Sequence, residues 1–571
     1  MAHNAEALEL WRAHVSDEER AQLDALANDE QALSDAFYCE LSFGTGGMRG
    51  IIGLGTSRMN VYTVARATQG LADYLTAHFD EPSVAVARDS RRMGETFTQT
   101  IAGVLCANGV RVMLYPRVAP TPALSFAVRA LGCSAGINVT ASHNPAEYSG
   151  YKVYGPDGCQ VATEAAEAIQ SAIDAVSLFD GVKLMDFNEA LANGSATWID
   201  DAVLDAFLDA VCAQSLEALD AHADVPLRIA YTPLNGTGRE CIMRMFERID
   251  ISDVHIVAEQ AEPNGEFPTC PYPNPECAEA LERGLALSRA VEADLLIATD
   301  PDADRVGIAV AHDGDYVLLT GNEVGVLLVD YVATMRARAG QDLSGAVVIS
   351  TIVSTLMTDA QAREFGFELR RVLTGFKYIG SQVLALEEAS QLERFMFGFE
   401  ESYGYLSGPH VRDKDSINAT MLIAQMARWH KSEGRDLVQA METLYERYGY
   451  YLNRTLNMAY PGEAGAAEMT RILDALRNDP PARIAGYDVQ AFTDFSHPVP
   501  MPRIGGEEGE AELLPCSNVL SFQLDEGIEV IIRPSGTEPK IKAYLFSRGQ
   551  THAQAIALLD TLEGAARELL A

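Results

Sequence analysis

Three aspartates recur at alternate positions after an apolar run in the sequence ADLLIATDPDADRVGIAV. The apolar run predicts a strand that delivers Asp300, Asp302 and Asp304 into a loop. Carboxylates with this spacing can converge on one hard cation and leave room for a phosphate oxygen, which suits Mg²⁺. An EF-hand calcium loop is excluded because its sixth position is Arg305 rather than glycine and its twelfth is an alanine. A solvated acidic turn would carry the repulsion of three carboxylates, so metal binding is the favoured interpretation.

A serine follows another strand-like segment, in GCSAGINVTASHNPAEYSGYKVYG. Because Asn144-Pro145 ends regular structure, Ser142 is predicted to lie exposed where the strand ends. The surrounding residues do not form the Gly-x-Ser-x-Gly turn of hydrolases. Neighbouring residues on a strand point to opposite faces, so His143 is predicted to be a poor base for Ser142. The local sequence alone therefore favours a turn residue over a nucleophile.

A glycine-containing turn lies between two apolar segments of IEVIIRPSGTEPKIKAYLFS. Arg533 can bind two oxygens of one anion through its planar guanidinium. Ser535 and Thr537 carry hydroxyl donors, and Gly536 lets backbone N–H groups approach an anion. In a chain this acidic, a phosphate-binding turn is favoured over an ordinary one.

Two further segments contain polar residues with more than one interpretation. Glu400 and Ser402, in FMFGFEESYGYLSGPHVRDKDS, suit recognition of sugar hydroxyls, although capping of a helix explains them equally well. Downstream, Lys414 is a candidate anion binder or proton donor, and a surface charge cluster is the simpler alternative. Arg49, in the glycine-dense FGTGGMRG, is a candidate anion contact, but the segment lacks the spacing of a nucleotide-binding loop.

Three segments share an order of strand, small polar loop, amphipathic helix and strand: 83–115, 227–257 and 345–373. Their strands are continuous and β-branched, as in sheets that are covered on both faces. The pattern predicts three related α/β domains. Their predicted boundaries are 1–205, 206–319 and 320–450.

Residues 451–571 have a different pattern, which predicts an antiparallel sheet with helices. Within this part, LDEGIEV predicts a hairpin with Glu-Gly at its turn. Residues 460–470 and 500–515 are rich in glycine, proline and acidic residues and are predicted to be loops.

Acidic residues dominate the charge, since 43 Lys and Arg against 81 Asp and Glu give a formal charge of −38. Such a surface repels nucleic acid and anionic lipid, so neither is expected as a partner. Nine scattered cysteines without a Cys-x-x-Cys pair argue against a zinc site and a disulfide framework. The sequence has no apolar run of about 20 residues and begins without a secretory signal. A cytoplasmic protein with reduced thiols is predicted.

Four motifs occur in order and at domain-scale spacing: Thr140-Ala-Ser-His-Asn-Pro145, Asp300-x-Asp-x-Asp-Arg305, Gly398-Phe-Glu-Glu-Ser-Tyr-Gly404 and Arg533-Pro-Ser-Gly-Thr537. Together they resemble the α-D-phosphohexomutase family over nearly the whole chain. The resemblance implies four domains around a central cleft. The first three would be related α/β domains with mixed sheets, and residues 451–571 would form an α+β domain like the TATA-binding protein.

The resemblance also implies roles for individual residues. Ser142 would carry the phosphate as a phosphoserine. The magnesium ligands would be Asp300, Asp302, Asp304 and an oxygen of the Ser142 phosphate. The residues implied to contact substrate are Arg305, Gly375, Phe376, Lys377, Glu400, Ser402, Arg533, Ser535, Gly536 and Thr537. Those implied to hold phosphate or move protons are Arg49, Lys152 and Lys414.

The implied reaction moves a phosphoryl group between two positions of a sugar. Phospho-Ser142 would donate to a small-molecule sugar monophosphate, glucose 1,6-bisphosphate would form and turn over, and its other phosphate would return to the serine. Phosphoryl transfer depends on alignment and charge neutralisation, so a serine without an adjacent base is adequate.

The substrate sugar is indicated by two loops. Phe-Glu-Glu-Ser-Tyr-Gly and Gly-Phe-Lys resemble the branch that contains phosphoglucomutases and phosphopentomutases, so glucose 1-phosphate and glucose 6-phosphate are expected first. Phosphopentose and mannose phosphate are alternatives. Glucose 1,6-bisphosphate synthesis from a high-energy donor and a non-catalytic sugar-phosphate-binding paralogue are alternatives of another class. A monomer or a homodimer is expected.

Overall fold

The computed structural model describes residues 2–44, 46–217, 225–460, 462–506, 512–535 and 540–571 of the 571-residue chain. The first segment forms three helices, of which α2 begins with a capping box between Ser16 and Glu19. Their apolar faces meet around the fully buried Trp11. The three helices are α1 Ala2–His14, α2 Asp17–Leu26 and α3 Glu30–Phe37.

The first α/β domain is built on a mixed sheet of six strands in the order β1-β5-β4-β2-β3-β6. Its central strands are parallel, whereas β5 pairs antiparallel with β4 and β1. Every residue of β4 is buried, as expected for a strand with helices on both faces. The elements are β1 Gly47–Ile51, α4 Val61–His78, β2 Ser83–Arg88, α5 Gly94–Ala107, β3 Arg111–Leu114, α6 Thr121–Ala130, β4 Ala135–Val139, β5 Tyr148–Tyr154, α7 Thr163–Asp174, α8 Phe187–Asn193, β6 Ala196–Trp198 and α9 Asp201–Cys212.

The second domain has a five-stranded sheet in the order β11-β10-β9-β7-β8. The pairs β9/β7 and β7/β8 are parallel, and β10 and β11 continue the sheet as antiparallel strands. The elements are β7 Ile229–Thr232, α10 Gly238–Arg248, β8 Val254–Ile256, α11 Ala278–Val291, β9 Leu295–Thr299, β10 Val306–His312 and β11 Asp315–Leu319.

The third domain begins with a capping box between Thr320 and Glu323 and contains the helix α15, which is buried along most of its length. Helix α15 contacts the second domain as well as its own, so the two domains share one apolar core. The elements are α12 Gly321–Arg338, β12 Val347–Thr351, α13 Met357–Phe365, β13 Glu368–Val372, α14 Phe376–Glu388, β14 Phe395–Glu400, β15 Gly404–Leu406, α15 Ser416–Ser432 and α16 Leu437–Tyr448.

The C-terminal part forms an antiparallel five-stranded sheet in the order β16-β25-β24-β23-β19, covered by α17 and α18. The elements are β16 Tyr450–Ala459, α17 Gly462–Asn478, β17 Arg483–Ile484, β18 Tyr487–Asp488, β19 Ala491–Asp494, β20 Val499–Pro500, β21 Arg503–Ile504, β22 Leu513–Leu514, β23 Leu520–Asp525, β24 Ile528–Pro534, β25 Lys540–Gly549 and α18 His552–Leu569.

Strand β21 leaves the C-terminal part and completes the sheet of the third domain. That sheet has the order β15-β14-β12-β13-β21, and β21 pairs antiparallel with β13 through Leu369↔Ile504 and Arg370↔Arg503. The chain therefore passes from the third sheet to the fourth, returns at β21, and passes to the fourth again.

The predicted fold class is confirmed: three α/β units with mixed sheets precede an antiparallel α+β unit. The three repeated segments form β2-α5-β3, β7-α10-β8 and β12-α13-β13, each with parallel strands. The predicted hairpin is β23-β24, which turns at Glu526 and Gly527. None of the helices in the described ranges has the length and apolar character that a bilayer crossing requires.

Two loop predictions are wrong. Residues 460–470 lead into α17, where Ile472, Leu473 and Leu476 pack on the sheet and stabilise a helix whose first turns contain two glycines. Residues 507–511 of the predicted loop 500–515 lie outside the described residues. In the rest, β21 pairs with β13 and β22 pairs with β20, and the sequence of the segment itself does not reveal these partners.

Candidate active site

The aspartate loop follows β9 and is closed to solvent. Asp300 and Asp302 have no exposed surface and Asp304 is 2% exposed. One carboxylate oxygen from each residue lies within 4.8 Å of the other two. The Oδ1 atoms of Asp302 and Asp304 are buried and have no hydrogen-bond partner within the described part of the chain. Buried acceptors without partners are costly, so these residues fit a bound cation.

Charge repulsion acts within this loop. Burial, followed by the charges of Asp302 and Asp304, raises the pKa of Asp300 well above its ordinary value. The backbone N–H groups of Asp304 and Arg305 donate to Oδ1 of Asp300, at 3.1 and 3.0 Å. These bonds hold the carboxyl group in place, and a divalent cation would relieve the repulsion.

Ser142 lies between β4 and β5, and its hydroxyl donates to Oδ2 of Asp300 at 2.6 Å. The serine comes from the first domain and the aspartate from the second. Ser142 is 3% exposed, so the prediction of an exposed position is wrong. The aspartate loop of the second domain covers the end of β4. The residues around Ser142 do not indicate this contact, because it is made by a distant part of the chain.

The predicted orientation of His143, on the opposite face from Ser142, is also wrong, although its lowered pKa agrees with the prediction of a poor base. Ser142 has a φ of +51°, so it leaves the strand conformation and the alternation of faces does not apply. Nδ1 of His143 lies 3.2 Å from Oγ of Ser142. Burial, together with the charges of Arg305 and Arg49, lowers the pKa of His143 well below its ordinary value. A neutral imidazole therefore lies within reach of the serine proton.

Two lysines contact the aspartate loop from different domains. Lys152, on β5, donates to Oδ2 of Asp302 at 2.9 Å. Lys414, ahead of α15, lies 3.1 Å from carboxylate oxygens of both Asp304 and Asp413. Burial alone would lower the pKa of Lys414, but the neighbouring carboxylates outweigh burial and raise it. Lys414 therefore stays protonated beside the aspartates. The alternative of a surface charge cluster is wrong, because Lys414 and Asp413 are buried.

Two arginines lie at the edge of this group. Arg305 forms an ion pair with Glu276 at 2.6 Å and lies 3.8 Å from Asp304. Arg49, on β1, donates to the side chain of Asn144 in the serine loop at 2.9 Å.

The third domain contributes the end of β14 and the start of α14. Glu400 is 4% exposed and ends β14, whereas Ser402 is half-buried in the following turn. Burial raises the pKa of Glu400, and the charge of Lys414 partly offsets that increase. The Lys414 ammonium group lies 5.6 Å from the centre of the Phe376 ring. The alternative of helix capping is wrong for Glu400 and Ser402, because the N-cap residues of α14 and α15 are Gly375 and Asp415.

The loop before α14 has the conformation that its glycine allows. Gly375 has a φ of +122° and precedes the first residue of α14. Lys377 is half-buried, which lowers its pKa, and its ammonium group lies 5.0 Å from the Tyr378 ring centre.

The C-terminal domain contributes the turn after β24. Arg533 lies opposite Lys542 across the β24/β25 pair, so two cationic side chains are neighbours. Nε of Arg533 is buried and has no hydrogen-bond partner among the described residues. The backbone N–H of Ser535 donates to the carbonyl oxygen of Lys540 at 2.8 Å. Gly536 and Thr537 lie outside the described residues.

Arg533 also affects the pKa of a carboxyl group of the third domain. Burial and the charge of Glu400 raise the pKa of Glu401 to about 7, and Arg533 partly opposes them. Arg533, at the end of β24, is therefore close enough to Glu401 for their charges to interact.

Several polar residues of the site were not predicted. Thr121 donates to Oδ2 of Asp302 at 3.0 Å and accepts from the amide group of Asn138 at 2.7 Å. Asp89 and Arg91 lie beneath the serine loop. One signal was available, because Asp89 follows β2, and the parallel strands β2 and β4 end at the same edge of the sheet.

Family models match all three α/β domains. The three models are described as phosphoglucomutase/phosphomannomutase alpha/beta/alpha domains I, II and III, and they match residues 40–179, 205–314 and 320–448. Together they cover most of the chain, in the order in which the three mixed sheets occur.

Curated relatives match over nearly the full length. A phosphoglucomutase of Staphylococcus saprophyticus is 35% identical over 519 residues, which are 90% of this chain and 92% of the relative. A phosphoglucomutase of Staphylococcus aureus is 35% identical over 516 residues, 90% of each chain.

Solved structures share the fold. A putative phosphomannomutase of Thermus thermophilus has a TM-score of 0.69 at 22% identity and covers 93% of this chain and 99% of its own. The phosphoglucomutase parafusin of Paramecium, in an open form, has a TM-score of 0.66 at 17% identity, with 93% and 95% covered. The domain models and the relatives together confirm the resemblance, and the chain belongs to the phosphoglucomutase/phosphomannomutase family.

Proposed function

We propose that this protein is a phosphoglucomutase, which interconverts glucose 1-phosphate and glucose 6-phosphate through a phosphoserine at Ser142. The observation that carries the proposal is the 2.6 Å hydrogen bond between Ser142 and Asp300, beside two carboxylate oxygens that have no hydrogen-bond partner among the residues described. A phosphoryl group on this serine would enter the aspartate loop directly. The names of the full-length staphylococcal relatives support glucose as the sugar.

The carboxylates of Asp300, Asp302 and Asp304 would hold Mg²⁺, which supplies charge neutralisation to a transferring phosphoryl group. Lys152, from the first domain, contacts the Asp302 carboxylate, and Lys414, from the third, contacts that of Asp304. The two lysines place cationic groups next to the position of the phosphate in both the phosphorylated and the unphosphorylated enzyme.

Hydrogen bonds to the reacting atoms come from residues already in contact. Nδ1 of the neutral His143 lies within hydrogen-bond distance of Ser142 Oγ, but its lowered pKa makes it a weak base for the serine proton. Lys414 remains protonated next to Asp304, so it can donate a hydrogen bond to a sugar oxygen that enters the site, while its raised pKa makes it a weak proton donor. A buried location excludes water, which would otherwise compete with the sugar for the phosphoryl group.

Substrate recognition would come from the third and fourth domains. Glu400 and Ser402 are placed to bind sugar hydroxyl groups, with Gly375, Phe376 and Lys377 on the neighbouring loop. Arg533 offers a buried Nε–H without a protein partner among the described residues, so we infer that the turn 533–537 holds the phosphate that does not react. Glucose 1,6-bisphosphate would present either phosphate to this turn, which allows one site to serve both half-reactions.

A coupled mutase assay with glucose, mannose, ribose and deoxyribose 1-phosphates tests the proposal. With Mg²⁺ and traces of glucose 1,6-bisphosphate, we expect glucose 1-phosphate to give the highest kcat/KM. Intact-mass and peptide analysis should locate phosphate on Ser142. The variant Ser142→Ala should lose both phosphate and activity, whereas Ser344→Ala, at an exposed serine, should keep them.

Three results would contradict the proposal. Full activity of Ser142→Ala would exclude the phosphoserine, and preference for another sugar 1-phosphate would exclude glucose as the substrate. Faster formation of glucose 1,6-bisphosphate from 1,3-bisphosphoglycerate than mutase turnover would make the protein a bisphosphate synthase.

A further inference from the structure

The guanidinium group of Arg91 lies buried beneath the serine loop, and all of its N–H groups are used. An arginine side chain has five such donors. Nε donates to Oδ2 of Asp89 at 3.1 Å. The other four donate to backbone carbonyl oxygens of the loop: Ser142 at 2.5 Å, Asn144 at 2.5 Å, Pro145 at 2.7 Å and Tyr148 at 3.0 Å. One side chain therefore determines the course of the backbone from Ser142 to the start of β5.

The other side of Ser142 is held by Thr140. The backbone N–H of Ser142 donates to Oγ1 of Thr140 at 2.8 Å, and that hydroxyl donates to Oδ2 of Asp89 at 2.6 Å. The carbonyl oxygen of Ser142 is held by Arg91, which is bonded to the same carboxylate. Both backbone polar groups of Ser142 thus connect to the Asp89–Arg91 pair.

This support matters because Ser142 has an unfavourable backbone conformation. Its φ of +51° lies in the left-handed region, where a residue with a Cβ atom is destabilised. Such a residue persists when surrounding contacts over-determine it. The conformation also directs Oγ away from the strand and toward Asp300.

The second domain covers the same guanidinium group. The Arg91 guanidinium carbon lies 5.1 Å from the centre of the Phe267 ring, and Phe267 is 1% exposed. This domain also carries Asp300. Arg91 therefore lies at the interface that sets the separation between the serine hydroxyl and the aspartate loop.

We propose that Arg91 is a positioning residue for phosphoryl transfer, which holds Ser142 in the left-handed conformation and its Oγ toward Asp300. The inference rests on the proposed function. Arg91 has no N–H group left for a phosphate, so it acts through the backbone of Ser142 and not on the reacting atoms. This separates it from Arg533, whose Nε–H has no partner among the described residues.

The test compares Arg91→Lys with Arg111→Lys. Lysine keeps the charge but has three donors and no planar fork, so it cannot hold all four carbonyl oxygens. Arg111, on β3 of the same domain, is the matched control, because its side chain is 65% exposed and lies near Glu81 at the surface. We expect kcat of Arg91→Lys to fall about 100-fold, with KM for glucose 1-phosphate unchanged. Hydrogen exchange of residues 140–148 should become faster in this variant alone.

A second variant keeps the proposal testable if Arg91→Lys does not fold. Thr140→Val leaves the Asp89–Arg91 pair intact and removes the hydroxyl that holds the backbone N–H of Ser142. We expect about a tenfold loss of kcat, again without a change in KM. Circular dichroism and thermal unfolding at the assay temperature establish that each variant is folded.

Transfer of phosphate from glucose 1,6-bisphosphate to Ser142, followed by intact mass, separates the two proposals. If wild-type Ser142 takes no phosphate, the proposed function fails. If wild-type Ser142 is phosphorylated and both variants react at the wild-type rate, the role of Arg91 is overturned. A rise in KM at constant kcat, or a loss that matches the unfolded fraction, also overturns it.

Discussion

The hydroxyl of Ser142 and the carboxylate of Asp300 are 2.6 Å apart, although the two residues belong to different domains. A phosphoryl group on Ser142 cannot coexist with this hydrogen bond, because the serine would lose its proton. The phosphate would then face three aspartates, and the repulsion has to be offset by a cation. In the proposed function, phosphorylation of Ser142 and metal binding by the aspartates would therefore meet at this contact between two domains.

Metal binding should be visible as a gain in stability. A ligand that binds the folded state at 100 times its Kd stabilises it by about 2.7 kcal/mol. We expect saturating Mg²⁺ to raise the Tm of the wild type and to have little effect on Asp302→Asn, as measured by scanning fluorimetry. Asp313→Asn, at an exposed turn, should respond like the wild type. A full Mg²⁺ response in Asp302→Asn would exclude the triplet as the metal site.

Glu401 should make stability depend on pH. Its pKa rises from 4.5 to about 7 in the folded protein, so protonation stabilises the fold below pH 4.5 and this contribution is lost as pH rises through 7. At pH 8 the ionised carboxylate costs about 1–2 kcal/mol after allowance for partial exposure. Glu401→Gln should therefore be more stable than the wild type at pH 8, with a smaller difference at pH 5. The measurement is urea unfolding across this range.

The control for this pH dependence is Glu388→Gln, because Glu388 is exposed at the end of α14. Its stability relative to the wild type should not change with pH. A constant difference between Glu401→Gln and the wild type would show that Glu401 has an ordinary pKa.

Glu400 should discriminate between sugars. A hydrogen bond to a charged group contributes about 1.5–3 kcal/mol, so Glu400→Gln should lower kcat/KM for glucose 1-phosphate by about 10- to 100-fold. The amide keeps the shape of the carboxyl, so packing should not change. The loss should be smaller for a sugar that lacks the hydroxyl group bound by Glu400, because that sugar has no such hydrogen bond to lose. Steady-state kinetics with glucose and deoxyribose 1-phosphates compare the two. Equal losses on both sugars would place Glu400 outside the recognition surface.

Arg533 should control affinity for both substrates. If it holds the phosphate that does not react, Arg533→Met should raise KM for glucose 1-phosphate and for glucose 6-phosphate by similar factors, about 10- to 100-fold. Arg471→Met is a suitable control, because Arg471 is 61% exposed on α17 and pairs with Glu468. An effect on only one substrate would argue that Arg533 binds one orientation of the sugar.

Gly265 allows the first two domains to approach closely. A Cβ atom at this position would lie 2.6 Å from the backbone nitrogen of Arg92 and 2.6 Å from the carbonyl oxygen of Ser90. Gly265→Ala should destabilise the protein by about 1–3 kcal/mol and lower kcat, because the aspartate loop would move away from Ser142. Gly345→Ala, where a Cβ atom meets open space, should change neither. Unaltered activity of Gly265→Ala would show that the interface adapts.

Local patterns were sufficient for much of the fold and for the convergence of the aspartate loop. Continuous apolar strands identified the three repeated units, because a strand that is buried on both faces has apolar residues at successive positions. The spacing of Asp300, Asp302 and Asp304 predicted their convergence, and one carboxylate oxygen of each does lie within 4.8 Å of the other two. These are properties that neighbouring residues determine.

Properties that depend on distant parts of the chain were missed. Ser142 was predicted to be exposed, because nothing nearby reveals that residues of the second domain cover it. Arg91 was missed since its partners lie 51 and more residues away, on the serine loop. Helix α17 was missed because its two glycines favour a loop. The helix is stabilised by packing of its apolar face on the C-terminal sheet, which the local sequence does not show.

Strand β21 has a consequence for synthesis on the ribosome. The third sheet needs Arg503 and Ile504 to cover the edge of β13, yet these residues emerge more than 130 positions after β13 itself. A nascent chain that ends near residue 450 therefore presents an open sheet edge, which is a template for association with other chains. We expect that the third unit cannot mature cotranslationally by itself, and that the last two units of the enzyme complete their folding as one.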